Sequence, residues 1–186
     1  VLVYFPQHDV YAADGTEFDR AHSGRLRLCT VSNAADWFER DAAGTWRAVA
    51  ALDAAGVQYD FATDRIVRDR LRVERGRIRV DGEAGSSYAA LIVAGCRLVE
   101  RGTLDAMARL AADGADVWIV GGAPRAVPTG PDPGAGLDGG DVSVGGRMSR
   151  ADADLAAAID GAGVRRERLE GFDFIRRRDG DISVYF

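Results

Sequence analysis

Lysine is absent from this 186-residue sequence, and all 24 basic residues are arginine. A GC-rich genome is the plain source of that bias. Positive charge is also short overall: 29 acidic residues against 24 arginines leave a net charge of −5 and a pI of about 5.1. A nucleic-acid partner is not expected, since such a binder needs a basic field to displace counterions. Cysteine is nearly missing. Cys29 and Cys96 are too few and too far apart for a disulfide framework or a C-x-x-C motif. Two separate buried thiols are the expectation, and they fit a cytoplasmic or a secreted protein equally. No apolar run approaches the roughly 18 residues of a membrane span, so no membrane partner is expected either. The opening residues lack Met, a basic stretch and a cleavage site, so they are not expected to be a signal peptide.

What is present suits a buried core. Apolar residues make up 47% of the chain, and the length fits one α/β domain over residues 1–186. Both ends, Val1-Leu2-Val3-Tyr4-Phe5 and Ile182-Ser183-Val184-Tyr185-Phe186, read as strands. The expectation is a domain excised from a longer chain. Between them, continuous apolar runs predict parallel strands at 57–61, 88–93 and 117–120. Helical spacing follows Thr45 through Ala55, with Gly56 placed to end the helix, and resumes from an N-cap at Thr103 to Gly114. Thr63 is a candidate cap for a short turn through Ile66 and Val67. Ser149 and Asp152 match a capping box ahead of a helix through Leu155 and Ile159. Residues 7–33 read as a long loop, and 121–148 as a second loop rich in Gly and Pro. Two hairpins complete the pattern, one inserted over Leu71–Val80 and one at the end around Asp179-Gly180. This order predicts a mainly parallel sheet with helices on both faces, a three-layer sandwich.

Ligands of open parallel sheets bind beyond the carboxyl ends of the strands. After the first strand stand His8, Asp9 and Tyr11, a set able to bind a sugar hydroxyl, assist a proton transfer or hold a metal. The plainer reading is that His8 and Asp9 fix a loop or a domain interface. After the third strand comes Gly95-Cys96-Arg97; Cys96 lacks a nucleophile elbow and is a weak nucleophile candidate. After the fourth comes Gly121-Gly122-Ala123-Pro124, where prolines replace the helix a phosphate site needs. Asp60 and Asp64 flank the end of the second strand, and two acids so placed suit a glycosidase if they share a cleft. The Asp138-Gly139-Gly140-Asp141 run lacks the spacing of a calcium loop. Arg165-Arg166 and Arg176-Arg177-Arg178 read as solvated faces or as clamps on a neighbouring domain. No catalytic set and no metal-ligand set is read within the chain.

Five ordered segments resemble one family. They are Val1 to Tyr11, with Tyr-Phe-Pro before the His-Asp pair; Gly56-Val57-Gln58-Tyr59-Asp60-Phe61; Tyr88 to Val93; Asp113-Gly114-Ala115-Asp116-Val117; and Ile175-Arg176-Arg177 through Asp179-Gly180 to Tyr185-Phe186. In this order they are similar to a domain of the large multidomain α-L-rhamnosidases. Two departures stand out: Gly95-Cys96 where the family has Pro, and a longer, more Gly-rich loop at 121–146. The resemblance implies a class I glutamine-amidotransferase-like (flavodoxin-like) α/β domain that follows a catalytic barrel. It implies that the barrel hydrolyses terminal α-L-rhamnosides with help from calcium, and that this domain needs no cofactor of its own. The amidotransferase nucleophile would fall after Val120, where Gly121-Gly122-Ala123 stands.

The expected function is therefore a non-catalytic accessory domain of a glycoside hydrolase. It would pack on the barrel of the same polypeptide and meet the carbohydrate only at the rim, through His8, Asp9, Tyr11, Asp60 or Asp64. Two alternatives stay open: a free-standing amidotransferase-like or hydrolase-like enzyme using Cys96 with His8, and an oligomerisation module forming a homo-oligomer.

Overall fold

The computed structural model describes residues 1–12, 43–81, 86–128, 148–150, 155–161, 163–167, 176–179 and 182–185. At its centre is a parallel sheet built from β1 (Leu2–Tyr4), β2 (Asp60–Ala62), β5 (Ala90–Ala94), β7 (Asp116–Val120) and β9 (Met148–Arg150). Its strands lie in the order β2-β1-β5-β7-β9, every pair parallel. The middle strand β5 is Ala-Leu-Ile-Val-Ala, buried at every position, as a strand covered on both faces must be.

Alternation along the strands feeds two separate cores. Leu2, Tyr4, Leu91, Val93, Val117 and Ile119 point to one face. There they meet α3 (Asp64–Asp69) through Val67 and α4 (Arg101–Ala112) through Leu104, Met107 and Leu110. Val1, Val3, Ala90, Ile92 and Trp118 point to the other, under α2 (Ala43–Ala54) and α5 (Leu155–Gly161) through Val49, Leu52, Leu155 and Ile159. Period-2 strands between period-3.6 helices thus give three layers. Truncating a fully buried Leu or Ile in either core to Ala costs about 2–5 kcal/mol.

Three helices stop in the same way. Gly56, Gly114 and Gly163 all take positive φ, and the residue after each returns an amide to the carbonyl five back. Val57 bonds Leu52, Ala115 bonds Leu110, and Val164 bonds Ile159. This is the Schellman arrangement, which needs the left-handed conformation glycine adopts at little cost.

Two hairpins match the sequence expectation. β3 (Leu71–Glu74) pairs antiparallel with β4 (Arg77–Val80), and β10 (Arg176–Asp179) with β11 (Ile182–Tyr185). Several boundaries differ. The segment read as a loop from residue 7 opens as helix α1 (Gln7–Ala12). Thr103 does not cap α4; Glu100 holds that position, and the Thr103 hydroxyl is taken by Asp64. Ser149 lies in β9 rather than at a helix cap. The loop after β7 contains β8 (Arg125–Val127), which pairs with β6 (Leu98–Glu100), and neither was read from the sequence. Each is three residues long, too short for a periodicity. Residues 129–147 of that loop, including Asp138-Gly139-Gly140-Asp141, and also His22 and Cys29, lie outside the described residues.

Candidate functional site

The sheet reverses its direction of growth between β1 and β5, since β2 adds on one side of β1 and β5 on the other. That switch point, at the carboxyl ends, is where doubly wound sheets bind ligands. Here the residues after β1, β2 and β5 converge.

Asp9 and His8, adjacent on α1, have different surroundings. Asp9 is 2% exposed and acts inward. Its Oδ2 accepts the backbone N–H of Arg97 at 2.6 Å, and its Oδ1 stands 3.3 Å from Arg97 Nε. Burial raises the Asp9 pKa, and the bonds from Arg97 oppose that shift. Asp9 thus anchors α1 to the turn after β5. His8 faces the opposite group: its Nε2 lies 3.3 Å from Glu100 Oε1 and 3.9 Å from Asp64 Oδ2.

Asp64 opens α3 directly after β2 and is 5% exposed. Its Oδ1 accepts hydrogen bonds from the hydroxyls of Tyr4, at 2.8 Å, and Thr103, at 2.7 Å. The Tyr4 hydroxyl is held far above its ordinary pKa, first by burial and then by the Asp64 charge, so it acts as a fixed donor. Asp64 Oδ2 is buried without a hydrogen-bond partner. Glu100, last residue of β6, gives its other oxygen to an ion pair with Arg68 of α3. One nitrogen and two carboxylates therefore converge, their nearest donor atoms within 4.8 Å of one another.

After the ends of β5 and β7 lies a cavity of about 370 Å³ lined by Gly95, Cys96, Arg97, Gly121, Gly122 and Arg125. Gly121 and Gly122 both take positive φ, and the chain then enters β8 rather than a helix, so no phosphate cradle of the strand-to-helix kind forms. Cys96 is 4% exposed, and its thiol lies 3.5 Å from the Ala94 carbonyl oxygen. Burial, then the Asp9 charge, push its pKa well above the ordinary thiol value. A thiolate nucleophile needs the opposite environment.

Asp60 and Asp64 stand at opposite edges of the sheet. Asp60 starts β2, at the amino edge, where it is exposed and accepts from the Tyr88 hydroxyl at 2.9 Å; Asp64 lies past the carboxyl edge. The backbone of Tyr11 is in α1, while its side chain lies outside the described residues. Sequence reading missed Glu100, Thr103 and Tyr4 as members of the site. Glu100 belongs to an unrecognised strand, and Tyr4 reads as one more core residue.

No protein-family model and no curated protein matches this sequence. Among solved structures the chain is similar to a rhamnosidase from Novosphingobium sp. PP1Y, at 20% identity and a TM-score of 0.49. The likeness covers 68% of this chain and 14% of the rhamnosidase chain.

Proposed function

We propose that this chain is a non-catalytic accessory domain of a glycoside hydrolase of the α-L-rhamnosidase kind. On this reading it has the amidotransferase-like form of that family's accessory domain and packs against a catalytic barrel in the same polypeptide. The ordered sequence resemblance supports the family. The observation that carries the non-catalytic reading is at the carboxyl edge, where such a fold would do its chemistry. The turn after β7 bears Gly121-Gly122-Ala123 and leads into a strand, and the nearby Cys96 thiol is buried and hard to ionise. The described residues therefore present no activated nucleophile there. Asp9 serves as the internal anchor, so within the His8-Asp9 pair it is His8, 24% exposed in its side chain, that can reach a sugar at the rim.

The test compares the isolated chain with the polypeptide that carries the barrel. The chain alone is expected to leave an aryl α-L-rhamnoside intact. In the longer protein, His8→Ala is expected to raise KM with little change in kcat. Turnover by the isolated chain at enzyme-like rates overturns the proposal. If that turnover stopped on alkylation of Cys96, the thiol alternative would stand instead.

A further inference from the structure

We propose that His8, Asp64 and Glu100 form a binding site for one divalent transition-metal cation of the zinc type. The decisive feature is Asp64. Its side chain is 8% exposed, one oxygen is held by Tyr4 and Thr103, and the other is buried, without a hydrogen bond, facing His8. A buried carboxylate oxygen with no donor is costly. A proton on His8 does not resolve it. Nε2 carries a single N–H, which Glu100 at 3.3 Å can take, whereas Asp64 Oδ2 at 3.9 Å is out of hydrogen-bond range. A cation between them satisfies all three groups at once.

The spacing and the surroundings agree with this. Ligands about 2.1 Å from one ion in a tetrahedral shell stand about 3.4 Å apart. The two edges from His8, 3.3 Å and 3.9 Å, bracket that value, and the third, between the two carboxylates, lies within 4.8 Å. Each carboxylate is oriented through its other oxygen, Asp64 by two hydroxyls and Glu100 by Arg68, as outer-shell partners orient metal ligands. With His8 neutral, two carboxylates and one guanidinium leave a net negative charge for a cation to neutralise. One imidazole with two carboxylates, and no thiolate, suits zinc or manganese. Calcium asks for about 6–8 oxygen ligands and is expected to bind far more weakly. Three protein ligands leave a coordination position for water or a sugar hydroxyl. The inference rests on these residues alone, whatever the parent protein hydrolyses.

Calorimetric titration of the purified chain with Zn²⁺ tests it. Saturable one-to-one uptake is expected, weakened by at least about 10-fold in His8→Gln and in Glu100→Gln, since even outer-shell partners are worth that much. His22→Gln, the control for the other histidine, is expected to bind as the parent does. Circular dichroism of each variant confirms that it is folded. No saturable uptake, uptake unchanged in folded His8→Gln, uptake lost in His22→Gln, or tighter binding of Ca²⁺ than Zn²⁺ each overturns the proposal.

Discussion

The hydroxyl of Tyr4 donates a 2.8 Å hydrogen bond to Oδ1 of Asp64, linking the last residue of β1 to the first residue of the helix after β2. The bond is buried, and Thr103 of α4 shares the same acceptor at 2.7 Å. Three elements therefore meet on one carboxylate oxygen. Tyr4→Phe is expected to lower stability by about 1.5–3 kcal/mol, the range for a hydrogen bond to a charged group. Thr103→Val should cost a similar amount. The double variant should cost more than the sum, because Asp64 then keeps no hydroxyl donor. Urea denaturation of the double-mutant cycle measures this, and simple additivity would show that the two bonds are independent.

Gly44 of α2 and Gly95 after β5 meet backbone to backbone. A Cβ at Gly44 would lie 2.5 Å from the Gly95 Cα, and one at Gly95 2.4 Å from the Gly44 Cα. The Thr45 hydroxyl holds the approach by bonding the Ala94 carbonyl at 2.7 Å. Glycine to alanine within a helix normally gains up to about 1 kcal/mol. Gly44→Ala is expected to reverse that sign and lower the melting temperature. Gly161→Ala, in α5 with none of the described residues within 4 Å of its Cβ, should be neutral or slightly stabilising. Thermal unfolding of the pair checks the contrast; equal effects would mean that α2 can withdraw freely.

Cys96 should react slowly with iodoacetamide while the protein is folded. It is 4% exposed, and burial raises its pKa, so both access and thiolate fraction are low. In a Cys29→Ser background, mass spectrometry should show alkylation rising sharply on addition of denaturant. Fast modification of the native protein would restore the thiol as a nucleophile candidate.

Asp9 should give a particular pH signature. Burial holds its folded-state pKa above the ordinary 3.8. The folded protein therefore keeps this proton after the unfolded chain has lost it. Its contribution to stability is complete below that ordinary value and is lost as pH rises through the folded-state pKa. The stability difference between the parent and Asp9→Asn should accordingly shift against the parent as pH rises from below 3.8 and then level off. Urea midpoints at a series of pH values measure it. A shift in favour of the parent would mean that the Arg97 contacts outweigh burial.

The layered architecture was legible wherever a local pattern was long enough to repeat. The apolar run at Ala90–Ala94, the spacing of Leu104, Met107 and Leu110, and the glycines after α2 and α4 each state their role within a few residues. The hairpin over Leu71–Val80 was legible for the same reason. By contrast β6 and β8 exist only because they pair with each other, Leu98 opposite Arg125 and Glu100 opposite Val127. Thr103 shows the limit of local rules: it fits a helix cap in sequence, yet its hydroxyl is used across the fold by Asp64.

The candidate site divides along the same line. Sequence alone marked the strand-end segment of His8 and Asp9, because side chains after a parallel strand must gather at the carboxyl edge. It also gave the negative charge, the scarcity of thiols and the alternating cores, all of which follow from residue identity and period. Only the tertiary structure separated Asp9, turned inward to the Arg97 amide, from His8, turned toward Asp64 and Glu100. Those partners lie 56 and 92 residues further along the chain than His8. No local spacing relates them, and they meet because β2 and β6 end where β1 does.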